Sequence, residues 1–209
     1  MDDKKTTKRK YELKQRAVEM AETRRRITEA AVELHGTVGP ARTTLSAVAE
    51  RAGVQRHTVY RHFPDEVALF GACSAHYFTL NPWPDLGPWR AISDPERRLA
   101  RALSDLYAYY ERTEPMLSNV LRDLELVDAM EPAVVPLQEY LAEAAEILAA
   151  DWPARGRRRR VLDAALHSAV DFRTWHSLTA GDRVTRDEAI QLVSALVHAA
   201  AAPQRRVAA

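Results

Sequence analysis

The chain has 209 residues, enough for one or two domains with an ample core. Its single cysteine, Cys73, excludes an intramolecular disulfide and points to the reducing cytoplasm. No apolar run approaches the ~20 residues of a membrane span, and MDDKKTTKRK lacks the apolar core of a secretory signal. The net charge of +1 conceals an asymmetry: residues 1–63 carry 14 Lys/Arg against 8 Asp/Glu, and the remainder carries 16 against 21. Only the first third is suited to meet a polyanion.

Ala, Leu, Glu and Arg dominate, glycine is scarce, and Val, Ile and Thr do not gather into alternating runs. This predicts an all-α protein of about nine helices. Residues 1–22 hold Lys4, Lys5, Lys8, Arg9, Lys10, Lys14 and Arg16. They read as a basic N-terminal arm, either solvated or touching phosphates, with room for a partly helical segment. A first helix is predicted from Thr23 to Leu34, with Ile27, Ala30, Ala31 and Leu34 on one stripe. Arg24, Arg25 and Arg26 at its start oppose the helix dipole, which a nearby phosphate backbone would explain.

The stretch TTLSAVAERAGVQRHTVYRHF, Thr43 to Phe63, reads as two short helices around a turn at Gly53. Leu45, Val48, Ala49 and Ala52 make one apolar face, and Thr43 or Thr44 caps its start. Glycine supplies the left-handed conformation at the turn. Val54, Val59 and Phe63 face inward. Gln55, Arg56, His57, Thr58, Tyr60, Arg61 and His62 face out, rich in donors and cations and without one acid. A helix that enters the major groove of DNA looks like this. A single such unit reads few base pairs, so a two-fold dimer is the expected solution.

Pro64 and Asp65 open a fourth helix to about Thr79, in which Cys73 reads as a small buried hydrophobe. Asn81–Pro95, rich in Pro and aromatics, is the clearest boundary, and Trp83 and Trp89 make it a packed connection. Further helices are predicted at Pro95–Thr113, Pro115–Met130, Pro132–Trp152, Gly156–Leu178 and Arg186–Ala202. Val161, Leu162, Ala165 and Ala169, with Val193, Leu196, Val197 and Ala200, offer more apolar surface on the last two helices than one small domain can bury. Dimerisation there would make a four-helix bundle. Periodicity does not separate the inward stripe from the intersubunit one.

The features AAVELHGTVG, TTLSAVAERAGV and TVYRHFPDEVALF resemble the DNA-binding domain of the TetR family of transcriptional regulators over Arg25–Phe70. The rest of the chain is similar only in helix count and style. The resemblance implies a basic arm at 1–22, a three-helix helix-turn-helix domain at 23–70, and a helical effector-binding and dimerisation domain at 71–209. It implies a homodimer on a palindromic double-stranded DNA operator, released by a small-molecule inducer and acting as a repressor. By position, Thr43 and Thr44 would reach phosphates, Arg56, His57 and Thr58 with Gln55 would read base edges, and Tyr60 and His62 would contact the backbone or a thymine methyl. The family commonly has Lys where Glu66 stands, which implies either that the phosphate grip shifts to Arg24–Arg26 and the arm or that affinity is lower.

For the inducer, taken as apolar or aromatic, Tyr77, Tyr107, Tyr110, Met116, Phe172 and Trp175 are candidate ligand-binding residues; the alternative is a packed core. Tyr and Trp combine an apolar body with a polar handle. Asp163, His167 and Asp171 have a spacing that suits a metal, but a helix-surface network is the preferred reading, and no cofactor or metal is expected. The chain shows no Gly-rich phosphate loop, no paired His-carboxylate site and no nucleophile elbow, so an enzyme is not expected. The competing reading is a ligand-independent DNA-binding protein or activator with a filled second core.

Overall fold

The computed structural model describes residues 3–202, with side chains from Tyr11 onward. Among the described residues the architecture is all helical. The α-helices are α1 (Asp3–Thr37), α2 (Leu45–Ala52), α3 (Arg56–His62), α4 (Glu66–Leu80), α5 (Gly87–Arg90), α6 (Pro95–Asp123), α7 (Glu131–Ala149), α8 (Arg157–Val170), α9 (Phe172–Thr179) and α10 (Arg186–Ala201). Short 3-10 turns stand at Pro40–Arg42 and Asp128–Met130. No described helix is long and apolar enough to cross a membrane.

The chain divides into two compact units. The first holds the residues up to Asn81 together with Ser118–Ala133. Its core is Ile27, Ala31, Val48, Val59, Phe63, Leu69 and Cys73, contributed by α1 to α4. Thr44 caps α2 by accepting from the Ala47 N–H at 3.1 Å. Gly53 ends that helix at φ +64°, where a β-carbon would be strained. Asp65 caps α4 by accepting from Ala68 N–H at 2.7 Å. Cys73 is buried, as expected, and burial pushes its thiol up to about 12.

The second unit holds Pro82–Leu117 and the chain from Val134 onward. Leu99, Leu103 and Leu106 of α6, Leu148 of α7, Leu162 and Leu166 of α8 and Val193 and Val197 of α10 are all buried. Arg98 is buried too, and it donates to Ile92 O, Ile147 O and Ala150 O and pairs with Asp151 at 2.6 Å. The Ile147 and Ala150 carbonyls lie at the C-terminal end of α7, where the helix's own i+4 donors run out. The proline-rich connection is packed. Trp89 is fully buried and donates to Asp105 at 2.9 Å, and Trp83 stacks on Tyr140 at 5.0 Å.

Three expectations about helix limits change. First, α1 begins at Asp3, not Thr23. Residues 3–22 contain neither Gly nor Pro and are rich in Lys, Glu, Gln, Ala and Met, so propensity carries the helix past its packed part. The side chains of Lys4, Lys5, Lys8, Arg9 and Lys10 lie outside the described residues. Second, the helices expected on either side of Pro115 are one, α6. Proline removes a single backbone donor there, while Leu106, Tyr110 and Leu117 along the same helix are buried. Third, the long last-but-one helix breaks at Asp171 into α8 and α9. Asp171 caps α9 through Arg173 N–H at 2.6 Å, and the two final carbonyls of α8 are taken by tyrosine hydroxyls.

Candidate nucleic-acid interface

The exposed edge of the first unit is built by α2, its Gly53 turn and α3. Thr43 Oγ1 donates to Gly39 O at 2.8 Å, and Thr44 is committed to its capping role with its exposed side chain at the mouth of α2. Gln55 is the N-cap residue of α3 and makes no side-chain cap bond, so its amide stays exposed. Arg56 and His57 are exposed on the first turn, and Thr58 is half-buried beside them. Tyr60 is 45% exposed. Arg56 Nη2 donates to the Tyr60 hydroxyl at 3.1 Å, and its guanidinium lies over the Tyr60 ring at 5.7 Å.

His62 departs from expectation. It is only 9% exposed and faces the core side of α3, not the outward face. Burial, then the Arg61 and Arg24 charges, lower its pKa and favour the neutral ring. The reason is the helix period: His62 lies three residues after the buried Val59, on the same side. The polar character of His62 concealed this position.

Arg24, Arg25 and Arg26 also differ from expectation. They lie deep inside α1, so no dipole penalty has to be offset. Arg24 donates to His62 O and stacks 4.0 Å over Phe63, bracing the end of α3. Arg26 donates to Ala52 O at 3.2 Å, and Arg25 pairs with Glu22 and Glu29. Arg51 pairs with Glu33, its Nε at 2.8 Å from the carboxylate. By contrast, Arg42, Arg56 and Arg61 have no carboxylate at ion-pair distance among the described residues. Arg42 was missed in the sequence. It stands exposed at the end of the 3-10 turn, just before Thr43. Its signal was adjacency to the capping threonines. Glu66 is the first residue of α4, exposed, and suits the helix dipole rather than a phosphate.

The candidate ligand residues do not form one group. Tyr77 belongs to the first unit, where it meets Phe78 edge-on at 5.8 Å. Met116 is half-buried in the second. Tyr107, Tyr110, Phe172 and Trp175 come together there: Tyr110 lies 5.4 Å from Phe172 and 5.8 Å from Trp175. Tyr107 donates to Ala169 O at 3.0 Å, and Tyr110 donates to Val170 O. Burial raises the pKa of both phenols, so they remain protonated donors. Trp175 is 4% exposed, and its buried indole N–H has no acceptor among the described residues. On α8, Asp163 pairs with Arg159 at 2.7 Å, and His167 Nδ1 lies 2.8 Å from Asp163 O.

Comparison with known proteins bears on this geometry. Residues 27–73 match the family of bacterial regulatory proteins, tetR family. The chain is 39% identical over 82 residues to the HTH-type transcriptional regulator SrpR of Pseudomonas putida, covering 36% of this chain and 38% of that one. It is likewise 39% identical over 82 residues to the uncharacterized HTH-type transcriptional regulator TtgW, also of Pseudomonas putida, covering 36% and 61%. The match therefore spans less than two thirds of either relative. In structure, a TetR-like transcriptional regulator from Rhodococcus sp. RHA1 aligns with a TM-score of 0.59 over 84% of this chain and 93% of that one. At 18% identity that likeness speaks for the fold alone.

Proposed function

We propose that this chain, whose helix-turn-helix head matches the tetR family, is a TetR-family transcriptional regulator, a homodimeric repressor released from a palindromic operator by a small-molecule inducer. The observation that carries the DNA-binding part is the exposed face of α3, with Gln55, Arg56, His57 and Tyr60 and no acid. Arg42 and Arg61, exposed and without an ion pair among the described residues, add phosphate contacts beside it. The head is residues 23–70, preceded by the basic arm 1–22, and residues 71–209 form the effector and dimerisation domain. A protein that works on DNA in this way acts in the cytoplasm.

The dimer uses α8 and α10, which pack side by side. Leu162, Leu166, Val193 and Val197 point into the unit, while Val161, Leu192 and Leu196 are 45%, 44% and 59% exposed. The exposed stripe is the intersubunit one. The inducer is apolar or aromatic and carries a hydrogen-bond acceptor, because the aromatic group around Tyr110 includes the unpaired Trp175 N–H. The inducer acts by favouring a dimer geometry that mis-spaces the two heads.

The test is selection of bound sequences from a random-duplex pool with the full chain. The expected product is an inverted repeat bound by two chains, as read by sedimentation. A pool with no enriched sequence overturns the reading. A second reading, a ligand-independent DNA-binding protein or activator, draws on the Tyr107 and Tyr110 hydroxyls, which the protein's own carbonyls already occupy. Titrating the protein–duplex complex with a panel of aromatic and aliphatic acceptors separates the two. Release by any compound favours the inducible repressor, and release by none favours the filled core.

A further inference from the structure

The geometry points to Tyr60 as a positioning residue that makes Arg56 select guanine at one base pair of each half-site. This rests on the DNA-binding reading above and deepens it. Arg56 is the first residue of α3, where a cation opposes the helix dipole, and the first turn of that helix holds no acidic residue to offset it. Its place is therefore unfavourable for stability, while it stands exposed on the first turn of the outward face. Arg25 and Arg51 of the same unit are paired with carboxylates, and Arg24 and Arg26 with backbone carbonyls, whereas Arg56, like Arg42 and Arg61, has no carboxylate at ion-pair distance among the described residues.

What holds Arg56 is one residue, a turn further on. Its Nη2 donates to the Tyr60 hydroxyl at 3.1 Å, and its guanidinium lies 5.7 Å from the ring centroid. A guanidinium has five N–H donors. Tyr60 takes one hydrogen of Nη2. Whichever of the two it takes, one parallel pair remains: Nη1 with Nη2, or Nε with Nη2. That pair matches the O6 and N7 acceptors of guanine. Adenine presents an amino donor where guanine presents O6, so a held fork meets a donor there and rejects it. A free arginine would swing to a phosphate, because phosphates accept from any sequence. Tyr60 thus reduces the ordering cost of the guanine contact and withholds the side chain from the sequence-independent one. The tyrosine hydroxyl keeps its own hydrogen for a phosphate oxygen.

The test uses wild type, Arg56→Ala and Tyr60→Phe on the duplex enriched by the full chain, and on duplexes with single guanine·cytosine pairs replaced by adenine·thymine. Wild type should discriminate at one symmetric pair of positions by about tenfold or more. Arg56→Ala should lose discrimination there alone. Tyr60→Phe keeps the ring and loses the hydroxyl. Its discrimination at that position should fall about three- to tenfold, while selectivity elsewhere in the site is unchanged. The quantity compared is a ratio of affinities within one protein, so a general loss of stability or of phosphate contact does not move it. If Tyr60→Phe weakens both duplexes alike, Tyr60 is a backbone contact and the inference is wrong. If Arg56→Ala leaves all guanine preferences intact, it is also wrong, although the repressor reading stands. If wild type enriches no sequence, both fall.

Discussion

Gly39 shows at the residue scale what a single backbone position can demand. It adopts φ +94°, and a β-carbon there would lie 2.5 Å from Asp123 Oδ2 and closer still to Arg122 Nη2. Asp123 is buried and accepts from Ala41 N–H at 3.0 Å, while Asn119 donates to His35 O and Gly36 O. Gly39→Ala should therefore destabilise the first unit by about 1–3 kcal/mol, read from urea unfolding midpoints. His35 in the same region stacks on Phe70 at 5.1 Å, and burial lowers its pKa to about 4 despite the Asp123 charge. The unfolded chain binds that proton first, near pH 6.5, so stability is lost as pH falls from there toward 4. The loss should be about 2 kcal/mol between pH 7 and 5. His35→Leu should flatten that slope, which unfolding at the two pH values measures. Asp123 acts in a lower window, because the Arg122 guanidinium and then the Ala41 N–H hold its carboxyl below the usual range. Its contribution is complete above the unfolded carboxyl value and disappears as pH falls through the folded one. Most of the outward residues of α3 were legible in the sequence, because polar side chains at helical spacing declare their side. His62 was not, since a histidine is as acceptable buried and neutral as exposed.

The short helices of the head illustrate the element scale. Thr44 and Asp65 cap α2 and α4, and Gly53 stops α2, all by local chemistry that a sequence displays. The last helix has a stronger signal of the same kind. Thr185 Oγ1 accepts from Glu188 N–H at 3.3 Å, and Glu188 accepts in return from Thr185 N–H at 2.8 Å. Thr185→Ala should cost about 1 kcal/mol and fray the start of α10, as seen in thermal unfolding and in faster amide exchange over the first turn. The break between α8 and α9 lacked such a signal. Asp171 caps α9, but a lone Asp inside a helical pattern does not mark a break, and the carbonyls freed there are taken by the hydroxyls of Tyr107 and Tyr110, far earlier in the chain. Pro115 misled in the opposite direction: it resembles a helix start, yet it sits inside α6.

For the whole molecule, the sorting of α8 and α10 into inward and outward stripes matters most. Leu196 is the most exposed of the three large outward residues, so a charge there leaves the unit's own core intact. If α8 and α10 form the proposed interface, Leu196→Glu should convert the dimer to monomer in sedimentation and weaken binding to an inverted repeat at least tenfold, with helix content unchanged. A variant that stays dimeric would move the interface elsewhere. The same stripes were visible in the sequence as excess apolar surface. Which stripe faced in was decided by packing: Leu162, Leu166, Val193 and Val197 are buried, and α6 reaches the end of α8 through Tyr107 and Tyr110.

The sequence by itself determined the helical class, the caps and the turn of the reading head, and the acid-free face, because each follows from side chains within a few residues of one another. Only the tertiary structure decided that Arg24 and Arg26 brace the head internally, that His62 is buried and that Arg56 is held by Tyr60. It alone also ended α8 at Val170 and left Trp175 N–H without an acceptor. These outcomes depend mainly on partners brought from distant parts of the chain. Where a partner is near, as with Tyr60, they depend on which rotamer the surroundings leave free.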